Sequence, residues 1–114
     1  MQIKIRDSFL GTHQWSGCPH KEVSFLKNEH AHDFIIEVQC NVSHSDRDLE
    51  FIKLRIFLKQ FMKKKYKSKY EIIRFGEMSC EMISEDITKA FYKKYGKDFK
   101  VSVSEDGQYS GGEW

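Results

Sequence analysis

The fold prediction starts from one stretch of ten residues, Glu29-His30-Ala31-His32-Asp33-Phe34-Ile35-Ile36-Glu37-Val38. Its second half is apolar and rich in β-branched residues, which is typical of a buried strand. Side chains two residues apart in a strand point to the same face, so His30 and His32 share a face while Ala31 points away. Two neutral imidazoles placed in this way supply two of the three protein ligands of a catalytic-type zinc site, which keeps its fourth position open.

The third candidate ligand is His13, in the segment Thr12-His13-Gln14-Trp15 that leads toward this strand. Glu29 and Asp33 flank the other two histidines and are candidates for orienting their rings as hydrogen-bond acceptors. The alternative is that all three histidines are polar residues at strand ends, bonded to backbone, and that the two carboxylates are only solvated.

Length and composition limit the class of protein. A chain of 114 residues has room for one domain. Its formal charge of +2 predicts no general attraction to nucleic acid or to a membrane surface. No apolar run reaches the roughly 18 residues needed to cross a bilayer, and the alternating Met1-Gln2-Ile3-Lys4-Ile5-Arg6 is unlike a signal peptide. Three cysteines, an odd number, fit a reducing compartment, so we expect a cytoplasmic protein.

The first half of the chain predicts two strands and a helix. Residues 3–15 alternate in part and predict a first strand, bulged at Gly11. Residues 16–28 predict a long loop, and residues 33–43 a central second strand. A helix is expected from Leu49 to Met62, with Ser45 or Asp46 as its N-cap.

The second half predicts a further helix and a hairpin. Residues 70–75 predict a short extended piece that ends before Gly76. A second helix is expected to begin near Ser79 and to end at Gly96. Residues 99–104 alternate as a strand, and Asp106-Gly107 is a strong hairpin turn leading to a short last strand. The predicted order is β-β-α-α-β-β.

That order resembles the tunnelling fold, and more narrowly the zinc-dependent 6-pyruvoyl- and 6-carboxy-tetrahydropterin synthases. Three pieces carry the resemblance: His13 in the first strand, the His-x-His of residues 30–32, and Val101-Ser102-Val103-Ser104-Glu105. Ser79-Cys80-Glu81 is similar to the Thr-x-Glu that opens the second helix of the family. The resemblance implies an α+β domain with an antiparallel four-stranded sheet and two helices on one face.

The resemblance also implies a function. His13, His30 and His32 would hold Zn²⁺, which acts as a Lewis acid on the side chain of a reduced pterin. Glu105 would accept the adjacent N–H donors of a pterin- or purine-like ring, and Ser79, Cys80 and Glu81 would lie beside that ring. Family members are rings of identical subunits, so a homo-oligomer, such as a hexamer, with the heterocycle at a subunit interface is expected.

Two departures from the family concern catalysis. Leu26 stands where the family has its proton-abstracting cysteine, and Lys63-Lys64-Lys65-Tyr66 stands where it has an Asp-His pair. Positioned acid–base groups contribute about 10² to 10⁴-fold each to the reaction rate, so the chain lacks the family's usual route to catalysis. Cys18 with His20 is a candidate for a relocated base, since zinc nearby would lower the pKa of a thiol. The alternative is a loop cysteine without a role.

The basic cluster from Lys59 to Lys69 permits several interpretations. It is a candidate for gripping the phosphates of a nucleotide or a pterin triphosphate, or for pairing with an acidic partner. The alternative is a solvated helix end that favours the helix dipole.

Three hypotheses follow from the sequence. The first is a zinc-binding synthase-like protein, a lyase if its base has been relocated. The second is a non-catalytic binder that sequesters or senses a nucleotide-like small molecule. The third is a structural α+β domain without metal.

Overall fold

The computed structural model describes all 114 residues, Met1 to Trp114. The chain forms six strands and two α-helices: β1 (Gln2–His13), β2 (His30–Asn41), α1 (Phe51–Lys65), β3 (Lys67–Lys69), β4 (Ile72–Gly76), α2 (Cys80–Tyr95), β5 (Lys100–Glu105) and β6 (Tyr109–Gly112). A 3-10 segment, Lys21–Lys27, lies in the loop between β1 and β2. The α+β class and the main element order are therefore as predicted.

The sheet has six strands in the order β3-β4-β1-β2-β5-β6. The four predicted strands form a continuous antiparallel block within it, β1-β2-β5-β6. The extended piece expected at residues 70–75 is one arm of a short hairpin, and β4 pairs parallel with β1. The sheet is therefore larger than the four strands expected, because this hairpin extends it past β1.

The expected bulge at Gly11 is absent, because β1 and β2 pair without interruption from Gln2 opposite Asn41 to His13 opposite His30. The one irregularity lies between Thr12 and His13, in the pairing of β1 with β4. Gly11 serves close packing instead. A Cβ atom there would lie 2.7 Å from Cε2 of Phe75.

Both helices pack on one face of the sheet. Alternate β2 side chains, among them Phe34, Ile36 and Val38, are buried in one cluster with Leu58 of α1 and Ile87 of α2. Burial of apolar side chains stabilises such a cluster by about 25 cal/mol per Å². Neither helix has the length and apolar composition that a membrane-spanning segment requires.

The caps predicted for α2 are confirmed, whereas the predicted N-cap of α1 is wrong. The hydroxyl of Ser79 accepts from Met82 N–H, and Gly96 ends α2 with a left-handed φ of 68°. The N-cap of α1 is Glu50, whose carboxylate accepts from Lys53 N–H, and neither Ser45 nor Asp46 has this role. The longer glutamate side chain still reaches a free amide of the first turn, so Glu50 caps a helix that begins at Phe51.

Candidate metal centre and adjoining cavity

The strand register brings the three predicted histidines together. His13, the last residue of β1, lies directly opposite His30, and His32 lies opposite Gly11 two positions along. The ring centroids are 4.6 Å apart for His13 and His30, 5.3 Å for His13 and His32, and 5.1 Å for His30 and His32. One ring nitrogen from each lies within 4.8 Å of the others. The register of two neighbouring strands thus creates the cluster.

Each Nδ1 atom of the cluster faces a hydrogen-bond acceptor. The distances are 2.9 Å from His13 to the Met78 carbonyl, 2.8 Å from His30 to the Asn28 carbonyl, and 2.8 Å from His32 to Oδ2 of Asp106. Carbonyl and carboxylate oxygens only accept, so each Nδ1 carries a hydrogen and donates it. In a neutral imidazole this leaves the lone pair on Nε2, which is the atom free to bind a metal.

This donor set fits a metal ion. Nε2 of His32 is buried and has no hydrogen-bond partner, although an unpaired buried polar atom is costly. Three imidazole nitrogens are the ligand set of one group of catalytic zinc sites. A cation between the rings would satisfy the lone pair on His32 and the Nε2 atoms of His13 and His30.

The electrostatics favour the metal-binding form of His13. Burial lowers the pKa of His13 below its usual value, and the hydrogen bond to Met78 and the charge of Glu105 offset this only in part. A lowered pKa keeps the ring neutral at physiological pH. Neutral imidazole is the form that coordinates metals.

Asp106 is a site residue that the sequence reasoning assigned only to a turn. One carboxylate oxygen faces His32, and the other accepts from Asp33 N–H at 2.8 Å. These two donors, the Asp33 amide first, hold the pKa of Asp106 below its usual range. The hairpin turn signal located Asp106, but its contact with His32 depends on how β5 pairs with β2.

The two carboxylates suggested from the sequence as ring orienters have other partners. Glu29 accepts from the hydroxyl of Thr12 and from the guanidinium of Arg74. Asp33 contributes its backbone amide to Asp106. Neither side chain is hydrogen-bonded to a histidine of the cluster.

Glu105, the last residue of β5, lies beside the cluster. Oε1 is 3.2 Å from Nε2 of His13, and Oε2 is 3.5 Å from Nε2 of His32. The thiol of Cys80 donates to Oε1 over 3.7 Å. Burial, with the charge of Glu105, raises the pKa of the Cys80 thiol to about 12. Cys80 is therefore a protonated donor that fixes the carboxylate, and it is not a base.

A cavity of about 690 Å³ adjoins His13, His30 and Glu105. The predicted residues Ser79, Cys80 and Glu81 line it, as do Trp15 and Tyr109. The two aromatic side chains are 45% and 71% exposed. Planar aromatic surfaces at a cavity mouth are suited to stacking on a flat ring.

The predicted relocated base lies outside this cavity. Cys18 is buried, and its thiol donates to the backbone carbonyls of His20 and Val23. The His20 ring packs edge-on against Trp15, with centroids 5.8 Å apart. Leu26, which stands at the position of the family's cysteine, does line the cavity.

The lysine cluster lies at a different place. Lys64 and Lys65 line a groove between α1 and α2 together with Lys89, Lys93 and Lys94. This groove shares no lining residue with the cavity beside the histidines. Within one subunit, these lysines are not placed to contact a ligand at the candidate metal centre.

The strand order, the two helices and the histidine cluster define a tunnelling-fold protein with the architecture of the 6-pyruvoyl tetrahydropterin synthases. Among solved structures, the synthase from Plasmodium falciparum is similar over 96% of this chain and 94% of its own, with a TM-score of 0.64 and 15% identity. An uncharacterized protein from Wolinella succinogenes is similar over 100% and 97%, with a TM-score of 0.66 and 11% identity.

A third similar structure is a Plasmodium vivax synthase variant in which a catalytic glutamate is replaced by alanine, with a TM-score of 0.62 and 11% identity over 98% of this chain and 95% of that one. No family model and no curated protein matches the sequence. The fold resemblance stated from the sequence is therefore confirmed by structure.

Proposed function

We propose that this protein binds Zn²⁺ through His13, His30 and His32 and a pterin- or purine-like heterocycle in the adjoining cavity. The observation that carries the proposal is the arrangement of the three imidazoles, each with its Nδ1 hydrogen bonded away from the centre. Such fixed orientation is the usual preparation of histidines that ligate a metal.

The heterocycle would bind between the metal and the wall formed by α2. Glu105 is the group proposed to accept two adjacent ring N–H donors, a bidentate and charge-assisted contact. Ser79, Cys80 and Glu81 supply the neighbouring wall, and Trp15 supplies a stacking surface. When bound, the metal would act as a Lewis acid on oxygens of the ring's side chain.

A subunit interface would complete the pocket. The cavity extends to Tyr109 and Ser110 of β6, and β6 is an edge strand with no neighbour on its far side. Edge strands are available for pairing with another chain. We therefore propose a homo-oligomeric ring in which a second copy covers this side of the cavity.

Two observations favour a binder without chemistry as the second candidate function. Leu26 presents an alkyl group to the cavity where the family has its base, and the Cys18 thiol is bonded to the backbone of its own loop. A synthase would need another base. A catalytic glutamate is named for the Plasmodium vivax protein, and Glu105 is the carboxylate of this cavity that contacts the histidines.

Metal analysis of the purified protein tests the proposed centre. We expect about one zinc per chain, and a His32→Ala variant that stays folded is expected to lose it. His44→Ala is the matched control, since His44 lies in the turn before α1, away from the cluster. Less than about half a zinc per wild-type chain would contradict the three-histidine site.

Chromatography after incubation of the zinc-loaded protein with dihydroneopterin triphosphate separates the enzyme from the binder. Product that is lost in Glu105→Gln and retained in Cys18→Ala would identify a synthase whose base is not the predicted thiol. Loss in Cys18→Ala would support the relocated base. Absence of product, together with binding of neopterin that depends on Glu105, would support the binder.

A further inference from the structure

We propose that, when no heterocycle is bound, Glu105 is the fourth ligand of the metal and closes the coordination sphere. This inference rests on the metal site proposed above and goes beyond it, since a three-histidine site of the catalytic type would keep that position open to water. It also assigns Glu105 a contact other than the ring donors expected from the sequence.

The first argument is one of distance. Two ligand atoms bound about 2.0–2.1 Å from a tetrahedral zinc lie about 3.3 Å apart. Glu105 approaches His13 at 3.2 Å and His32 at 3.5 Å, and it uses a different oxygen for each ring. Each separation is close to that between neighbouring ligands of one ion, and because the two contacts use different oxygens, either oxygen of the carboxylate can serve as the ligand.

The second argument concerns the lone pairs. Because His13 and His32 donate through Nδ1, the Nε2 atom of each neutral ring has a lone pair and no hydrogen. The carboxylate of Glu105 is also an acceptor. Two acceptors at this distance repel each other unless a proton or a metal ion lies between them, and one metal ion removes the repulsion at both rings at once.

The third argument is that Glu105 is held in place. It ends β5 in register with Phe34, two residues after His32, so the sheet fixes its backbone beside the cluster. The Cys80 thiol donates to Oε1 from the first turn of α2. A carboxylate oxygen has lone pairs for both this thiol and a metal, so the hydrogen bond is compatible with ligation.

A consequence concerns the heterocycle. The ring N–H donors and the metal would compete for the same carboxylate, so binding of a heterocycle would withdraw Glu105 and free the fourth position. The metal would then be accessible only beside a bound ring.

Metal affinity and the cobalt spectrum test the inference. Zinc dissociation constants are measured by competition with a chromophoric chelator for wild type, Glu105→Gln and Glu77→Gln. Glu77 lines the same cavity and makes its hydrogen bonds to Ser16, so it controls for loss of a nearby negative charge. Loss of a group that merely orients a ligand weakens affinity by about 10- to 100-fold, so for loss of a direct ligand in Glu105→Gln we expect a loss of more than about 100-fold. No change is expected for Glu77→Gln.

In the second measurement, azide is added to the cobalt-loaded proteins, since an open position accepts a small anion and a closed one does not. We expect an unchanged visible spectrum for wild type and a shifted one for Glu105→Gln. If Glu105→Gln does not fold, Glu105→Asp serves instead, because its shorter side chain retains the charge and loses the reach. Equal zinc affinity in wild type and the Glu105 variant, or an azide shift in wild type, would overturn the inference and leave the three-histidine site intact. Absence of zinc binding in wild type would instead overturn the proposed function.

Discussion

At the scale of single residues, the histidines depend on partners that are distant in sequence. His13 is held by the carbonyl of Met78, and His32 by the side chain of Asp106. Residues that fix the orientation of metal ligands contribute about 10- to 100-fold to metal affinity. The geometry of this centre is therefore set as much by Met78 and Asp106 as by the rings.

Asp106→Asn is expected to raise the zinc dissociation constant by about 10- to 100-fold. Asp106 offers one oxygen to His32 Nδ1–H and the other to Asp33 N–H, whereas an asparagine has a single carbonyl oxygen. The φ of 55° at this position is one that asparagine tolerates, so the turn should persist. Chelator competition measures the change, with Asp46→Asn in the exposed turn before α1 as control. Equal constants for the two variants would show that Asp106 does not orient the ring.

At the scale of elements, β1 is the strand on which the site depends. It pairs with β2 along its whole length and carries His13 at its end, and its pairing with β4 begins at Gly11. The sequence pattern predicted this strand and a bulge at Gly11. In the structure Gly11 instead allows the rings of Phe34 and Phe75 to pack closely against the backbone of β1.

Gly11→Ala is expected to lower the free energy of unfolding by about 1–3 kcal/mol, the usual cost of overpacking a core. The new Cβ would lie 2.7 Å from Cε2 of Phe75 and 3.1 Å from the Ile73 carbonyl, and the backbone oxygen cannot move aside cheaply. Urea denaturation measures the loss. Gly17→Ala is the control, since no atom lies within 4 Å of a Cβ there. A similar stability for both variants would contradict the close approach at Gly11.

At the scale of the whole molecule, one chain supplies all three histidines and Glu105, but the cavity beside them extends to the edge strand β6. The proposed metal centre should therefore form within a subunit, and the proposed heterocycle pocket should depend on assembly. This division separates two properties that can be measured independently.

Light scattering of the wild type is expected to give a mass of at least two chains, and Tyr109→Glu is expected to shift the protein to smaller species. A charge at this exposed position of β6 would have to be desolvated at the proposed interface. Zinc content should persist in the variant. Tyr92→Glu, on the exposed face of α2, is the matched control and should leave the mass unchanged. A monomeric wild type would contradict the shared pocket.

The sequence by itself determined the order of the main elements, the shared face of His30 and His32, and the position of Glu105 at a strand end. These features depend on periodicity and turn chemistry among neighbouring residues, which the sequence records directly. The hairpin β3–β4 was only partly predicted, because strands of three and five residues carry little pattern.

Only the tertiary structure decided which groups meet at the centre. The register of β1 against β2 placed His13 opposite His30, and the pairing of β5 with β2 brought Glu105 and Asp106 to His32. The loop conformation turned the Cys18 thiol toward its own backbone. Such contacts join residues far apart along the chain, and they depend on strand register and helix packing that local patterns do not specify.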